Sequence, residues 1–200
     1  NQYTPQGIQS YELVWGRGFV SPGGADLARE FIDMMCLPAD SLVLDLGSGL
    51  GGSAFLMATE FNYRVEGLDL STNMLNRAEA ECQALGLQNR VTFELENALE
   101  MNRPNRYDGV YSRDAFLHIH DKQRLFSAIH RSLKPRGRLL FTDYCCRPQP
   151  WSDGFASYVE SHHYCLHTVE DYASLLEEAG FKGIVGEDLT QKFVQTLEND

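Results

Sequence analysis

From residue 41 onward the chain alternates short apolar runs with amphipathic stretches, and few folds accept that order. The runs span 42–46, 63–70, 91–95, 107–112, 138–143 and 183–188. Each is short and rich in Val, Leu, Phe or Tyr, as strands buried on both faces require. Between them, 53–61, 73–85 and 123–133 carry apolar residues at helical spacing. A further helix spans 168–179. Thr168 is its N-cap, Asp171 completes a capping box and Gly180 ends it. Strand and helix in turn predict right-handed βαβ units. The expected fold is therefore α/β, a Rossmann-like, mostly parallel sheet with helices on both faces. A sixth strand at 183–188 would lie at a sheet edge with no further partner, and 191–197 reads as a final helix.

Ahead of this core, residues 1–24 are turn-rich and aromatic, with Tyr3, Tyr11, Trp15 and Phe19, and 25–35 has helical periodicity. They predict an N-terminal helical cap. Residues 145–167 interrupt the alternation with Pro148, Pro150, Trp151 and several aromatics. An insertion after a strand's carboxyl end sits where open α/β sheets bind ligands.

Composition removes several classes of function. Lys plus Arg is 17 and Asp plus Glu is 28, a net charge of −11. Nucleic acid and anionic membranes need clustered positive charge, so neither is an expected partner. No apolar run approaches the ~20 residues of a membrane span, so no membrane insertion is expected. Five cysteines, Cys36, Cys82, Cys145, Cys146 and Cys165, show no C-x-x-C spacing. They read as free thiols in a reducing, cytoplasmic setting, with Cys145 and Cys146 as core residues at a strand end. Met57 and Met74 read as core or helix-face filler.

The string Leu44-Asp45-Leu46-Gly47-Ser48-Gly49-Leu50-Gly51-Gly52 follows a strand and opens a helix. Glycines there permit tight turns and let backbone approach a ligand. Gly47, Gly49 and Gly52 also fit the dinucleotide fingerprint, and Asp69 lies 20 residues beyond Gly49, where an acid binds a ribose diol. The loop alone leaves NAD and S-adenosylmethionine both open. Asp45 tilts the choice, because a carboxylate beside the loop repels a pyrophosphate and suits a positive sulfonium.

With Ser132-Leu133-Lys134-Pro135-Arg136-Gly137 before the fifth strand and 94–99 after the third, the sequence resembles class I S-adenosylmethionine-dependent methyltransferases. The resemblance narrows on Asn1-Gln2-Tyr3-Thr4, Trp15-Gly16, Phe19-Val20-Ser21 and Gly23-Gly24. It continues through Tyr111-Ser112-Arg113-Asp114-Ala115-Phe116-Leu117-His118 and Thr142-Asp143-Tyr144-Cys145. These strings are similar to those of phosphoethanolamine N-methyltransferases, and they cover nearly the whole chain. That family methylates the amine of phosphoethanolamine stepwise toward phosphocholine.

The resemblance implies one methyltransferase domain over 1–200. Residues 1–40 are then the cap, 41–144 the cofactor-binding core, 145–167 the substrate-side insertion and 168–200 the last helix and strand, with the C-terminal end incomplete. It implies Tyr3 and His118 as a catalytic pair that closes over the substrate, with Asp114 on the amine. It assigns S-adenosylmethionine, which leaves as S-adenosylhomocysteine, to Val20, Ser21, Asp45, Gly47, Gly49, Asp69, Leu70, Ser71, Asn97, Ala98 and Arg113. Tyr144, Tyr158, His162 and Tyr164 fall on the acceptor's phosphate. The chain departs from the pattern at His162, where the family has Arg, and at Asn97, where it has Asp. A phosphate-binding lysine of the family would lie beyond Asp200, and Arg17 is a further cation that could help.

The residues allow this chemistry. An alkylamine is protonated at neutral pH and has no lone pair to attack with. Asp114 and His118 are four apart, so on a helical turn they would face one way and could deprotonate it. Aromatic residues suit a product that ends as a quaternary ammonium. A lone histidine is ordinarily structural, and it is the matched string that raises His118 above that. His120, His130, His163 and His167 read as surface or capping residues. His118-x-His120 and His162-His163 lack third and fourth ligands, so no metal is expected. Tyr158 and Tyr164 could equally pack the insertion. The competing readings are methylation of a non-phosphorylated amine, which His162 favours, a non-catalytic methyltransferase-like scaffold, and an NAD dehydrogenase.

Overall fold

The computed structural model describes residues 4–199. Five parallel strands form one sheet: β1 (Leu42–Leu46), β2 (Arg64–Asp69), β3 (Val91–Leu95), β4 (Tyr107–Arg113) and β5 (Leu133–Thr142). Their order is β3-β2-β1-β4-β5. The order reverses between β1 and β4, so a crevice opens above the carboxyl ends of those two strands. The helices α3 (Gly52–Thr59), α4 (Thr72–Ala84), α5 (Lys122–Ser132) and α7 (Val169–Glu178) agree with the amphipathic pattern. The N-terminal cap is α1 (Pro5–Trp15) followed by α2 (Gly24–Met34). Thr168 and Asp171 form the expected capping box of α7.

Strand side chains alternate between two cores. Val43, Val65 and Tyr111 pack with α2, α3 and α4 through Ile32, Met57 and Cys82. Leu44, Leu46, Leu68 and Val110 pack with α5 and α7 through Phe126, Ile129 and Tyr172. Met57 and Met74 are both buried. Gly47 and Ser48 donate to the Leu68 carbonyl at 2.8 and 3.0 Å, which fixes the loop after β1 against the end of β2.

Three expectations fail. No strand forms at 183–188; that segment is a loop running to α8 (Thr190–Asn199). Among the described residues nothing flanks it to complete a ladder, it carries Gly183 and Gly186, and Val185 is 90% exposed. The fifth strand does not wait for residue 138. β5 begins at Leu133, and its pairing with β4 jumps from Tyr107↔Leu133 to Gly109↔Arg138, so the intervening residues bulge out. Cys145 is exposed and Cys146 half-buried, because β5 stops at Thr142. The thiols are free, as expected. The insertion contains a helix that the periodicity did not reveal, α6 (Asp153–His162).

The cap is pinned to the core by close backbone contact. The Gly52 N–H donates to the Gly18 carbonyl at 3.1 Å, and a Cβ on Gly52 would lie 2.4 Å from that oxygen. Gly52→Ala must push the 18–21 segment away. It is expected to cost about 1–3 kcal/mol of stability, read by thermal denaturation. An unchanged melting temperature would mean that the cap is not held this way.

Candidate functional site

The carboxyl ends of β1 and β4 and the turn behind α1 meet at one cleft. Its floor is the loop after β1, with Asp45, Gly47, Ser48 and Gly49; Phe19, Val20 and Ser21 close one side and Arg113 the other. Gly47 has φ +74, and a Cβ there would meet the Ala115 Cβ at 2.5 Å, so only glycine brings this loop so near the loop after β4.

Asp69 organises the rim. Its Oδ2 accepts from the Gly49 N–H at 2.9 Å and its Oδ1 from the Ser71 N–H at 2.8 Å. Each oxygen keeps a second lone pair, which suits a vicinal diol. Ser71 is the N-cap of α4, its hydroxyl accepting from Met74 N–H at 3.4 Å, and Leu70 beside it is 68% exposed.

Asp45 is buried at 2% exposure, and its Oδ2 has no hydrogen-bond partner; Ser48 Oγ is also buried without one. Burial, and then the nearby Asp69 carboxylate, push the Asp45 carboxyl up to about 7. A buried acid and an unspent Ser48 hydroxyl lining one cleft call for a ligand that brings positive charge and hydrogen-bonding groups. Ser48 was missed as a site residue; it lies inside the glycine string, where it could have been seen.

Arg113 is not free to grip an anion. Its guanidinium donates to the Pro22 carbonyl and, at 2.7 Å, to the Gly24 carbonyl, so it braces the segment that carries Val20 and Ser21. Asn97 and Ala98 lie past the end of β3. The Asn97 side-chain oxygen accepts from the Leu99 N–H at 3.0 Å and so shapes its own loop, while Ala98 packs on the core.

The loop after β4 departs from the expected helical turn. Asp114 has φ +51, and the 3₁₀ turn begins only at Phe116, running Phe116–His118. Asp114 instead turns toward β5, with the Thr142 hydroxyl donating to its Oδ1 at 2.7 Å. His118 is exposed, yet surrounding protein lowers its pKa and favours the neutral ring; Asp69 opposes the shift and Lys122 adds to it. The His118 and Tyr164 rings meet edge to face at 5.4 Å. Tyr3 lies outside the described residues.

The insertion places a second group of rings beside this loop. His162 stacks on Tyr158 at 4.2 Å between centroids and on Tyr164 at 5.2 Å. The His162 Nδ1 lies 2.8 Å from the Tyr158 carbonyl, so that nitrogen is the donor and Nε2 is left for a ligand. Burial raises the Tyr144 hydroxyl, and Asp114 adds to that rise. Tyr144, Tyr158, His162 and Tyr164 thus gather near Asp114 and His118. Arg17 does not join them, since it pairs with Glu81 of α4 at 2.5 Å.

Asp45 gives a test of the cleft's electrostatics. An unfolded Asp titrates near ~3.9. With the folded value raised, the proton is kept longer in the folded chain, so this group's contribution is full below about 4 and is lost as pH rises through about 7. Asp45→Asn should therefore raise the melting temperature of the ligand-free chain at pH 8 and change it little at pH 4. Equal effects at both pH values would contradict the burial.

Residues 39–195 match the family model of a methyltransferase domain. Phosphoethanolamine N-methyltransferase 3 of Arabidopsis thaliana is 43% identical over 200 residues, all of this chain and 40% of that protein. The phosphoethanolamine N-methyltransferase of Plasmodium falciparum is 37% identical over 202 residues, 99% of this chain and 75% of that protein. A solved structure of phosphoethanolamine N-methyltransferase 2 from Haemonchus contortus, in complex with phosphomonomethylethanolamine and S-adenosylhomocysteine, superposes with a TM-score of 0.96. It is 37% identical, and the match covers 100% of this chain and 47% of that one. The chain spans about two fifths of the length of the plant relatives that it matches.

Proposed function

The chain belongs to the phosphoethanolamine N-methyltransferase family of methyltransferases, and we propose that it methylates the amine of phosphoethanolamine or its mono- and dimethyl forms, toward phosphocholine, with S-adenosylmethionine as donor. The observation that carries the donor is the unpartnered, buried Asp45 carboxylate among the glycines of the loop after β1. When bound, S-adenosylmethionine supplies an electrophilic methyl group on a positive sulfur. Asp45 offers the negative charge that such a ligand needs, and its ionised form is the one that binding favours. Asp69, held by two backbone N–H groups, orients ribose hydroxyls.

On the acceptor side, Asp114 attracts the ammonium. His118, whose pKa the surrounding protein lowers, takes the proton from the acceptor nitrogen and frees its lone pair. Tyr3 is proposed to partner His118. Tyr144, Tyr158 and Tyr164, with His162, hold the phosphate. The free thiols and the negative net charge support a cytoplasmic enzyme with small-molecule partners and no nucleic acid, and among the described residues no helix is long and apolar enough to cross a membrane.

Methyl transfer to phosphoethanolamine, followed by release of S-adenosylhomocysteine, is the direct test. His118→Ala should lower turnover by ~10²–10⁴-fold and leave the Kd for S-adenosylhomocysteine within about twofold. Near-normal turnover would return His118 to a structural role.

Histidine carries the charge that a phosphate wants only when protonated, whereas arginine keeps it and binds with two nitrogens. His162→Arg should therefore lower the KM for phosphoethanolamine, by more at pH 8 than at pH 6. If ethanolamine binds as well as phosphoethanolamine and His162→Arg changes nothing, the acceptor is a non-phosphorylated amine.

A further inference from the structure

A half-buried acid and a buried lysine hold the backbone on both sides of His118. The Leu117 N–H donates to Asp143 Oδ1 at 3.1 Å. The Lys122 ammonium donates to the Ile119 carbonyl at 2.5 Å and to the Cys165 carbonyl at 3.1 Å. The Cys165 N–H donates to the Leu117 carbonyl at 2.8 Å, which closes the ring. The Tyr172 hydroxyl of α7 donates to the other oxygen of Asp143, and its ring lies 5.9 Å from the Lys122 ammonium.

These contacts join three separate parts of the chain. Leu117 and Ile119 flank His118 on the loop after β4. Asp143 follows β5. Cys165 ends the insertion, next to Tyr164, whose ring touches His118. We propose that Lys122 and Asp143 are positioning residues which hold the His118 turn and the acceptor-binding insertion in mutual register.

The burial of Lys122 supports the assignment. Lys122 is 3% exposed, and an amine so placed is costly unless it is hydrogen-bonded, as it is here to two carbonyls. Burial pushes the Asp143 carboxyl up to about 6 and lowers the Lys122 ammonium, while each favours the other's charged form. Neither side chain lines the donor cleft. The network therefore acts on the acceptor side, through the placement of the imidazole. A misplacement near 1 Å is enough to cost ~10²-fold in rate.

The inference rests on His118 as the group that takes the amine's proton. Lys122→Met keeps the length of the stem and removes the ammonium; Tyr172→Phe keeps the ring and removes the hydroxyl on Asp143. Turnover, KM for phosphoethanolamine and Kd for S-adenosylhomocysteine are measured for both, with Lys122→Arg and His118→Ala alongside. Lys122→Met should lower kcat by ~10- to 10²-fold and raise KM, with the S-adenosylhomocysteine Kd within about twofold. Tyr172→Phe should show a smaller loss of the same kind, and Lys122→Arg should recover most of the rate. If Lys122→Met does not fold, Tyr172→Phe decides. Normal kcat in Lys122→Met and Tyr172→Phe, with His118→Ala impaired, overturns the positioning role and leaves the catalytic assignment standing. Loss of S-adenosylhomocysteine binding in step with kcat also overturns it, because the network would then hold the whole fold. Normal turnover in His118→Ala removes the catalytic assignment and the positioning role together.

Discussion

The carboxylate of Asp69 is the joint on which the donor side depends. One oxygen holds the Gly49 N–H and the other holds the Ser71 N–H, so the loops after β1 and β2 share a single anchor. The same carboxylate helps keep Asp45 from ionising and pulls the His118 ring toward its charged form. One residue at a strand end thus sets backbone geometry, the charge state of the cleft floor and part of the field at His118. A parallel sheet makes this economical, because every loop of importance leaves from the same edge.

Two fields of opposite demand share that edge. In the proposed reaction the donor and the acceptor amine are both cationic, which the three acids Asp45, Asp69 and Asp114 would suit. A phosphate needs the reverse, which the proposal meets with Tyr144 and, from the insertion, Tyr158, His162 and Tyr164. The Arg113 guanidinium is occupied by the Pro22 and Gly24 carbonyls, so it braces the cap.

What was legible in the sequence follows from how local each cause is. Strands β1 to β4, the main helices and the glycine string depend on short-range pattern, and they appear where the pattern places them. The strand expected at 183–188 had a suitable composition, but a strand exists only through a partner, and a partner is a nonlocal fact. The helical turn expected from Asp114 to His118 failed for a different reason. Four-residue spacing says nothing about φ, and Asp114 takes a left-handed conformation that turns its carboxylate to Thr142. Arg17 looked like a spare cation until the fold put Glu81 beside it.

The acceptor side is legible last because its parts are held by backbone groups that sequence does not display. Helix α6 buries only Val159 among its own residues, so its apolar face does not fix its place. Its position comes from the chain that follows it, where Cys165 bonds to Leu117 and accepts from Lys122. Lys122 lies one residue before the helix that the pattern places at 123–133, and nothing in that pattern marks it. Only the meeting of three carboxyl-end loops turns it inward and gives its ammonium two carbonyls. A buried ammonium is costly unless it is hydrogen-bonded, and these two bonds supply that. Under the proposed positioning role they would set the register between His118 and the tyrosines of the insertion, which the single buried residue of α6 does not.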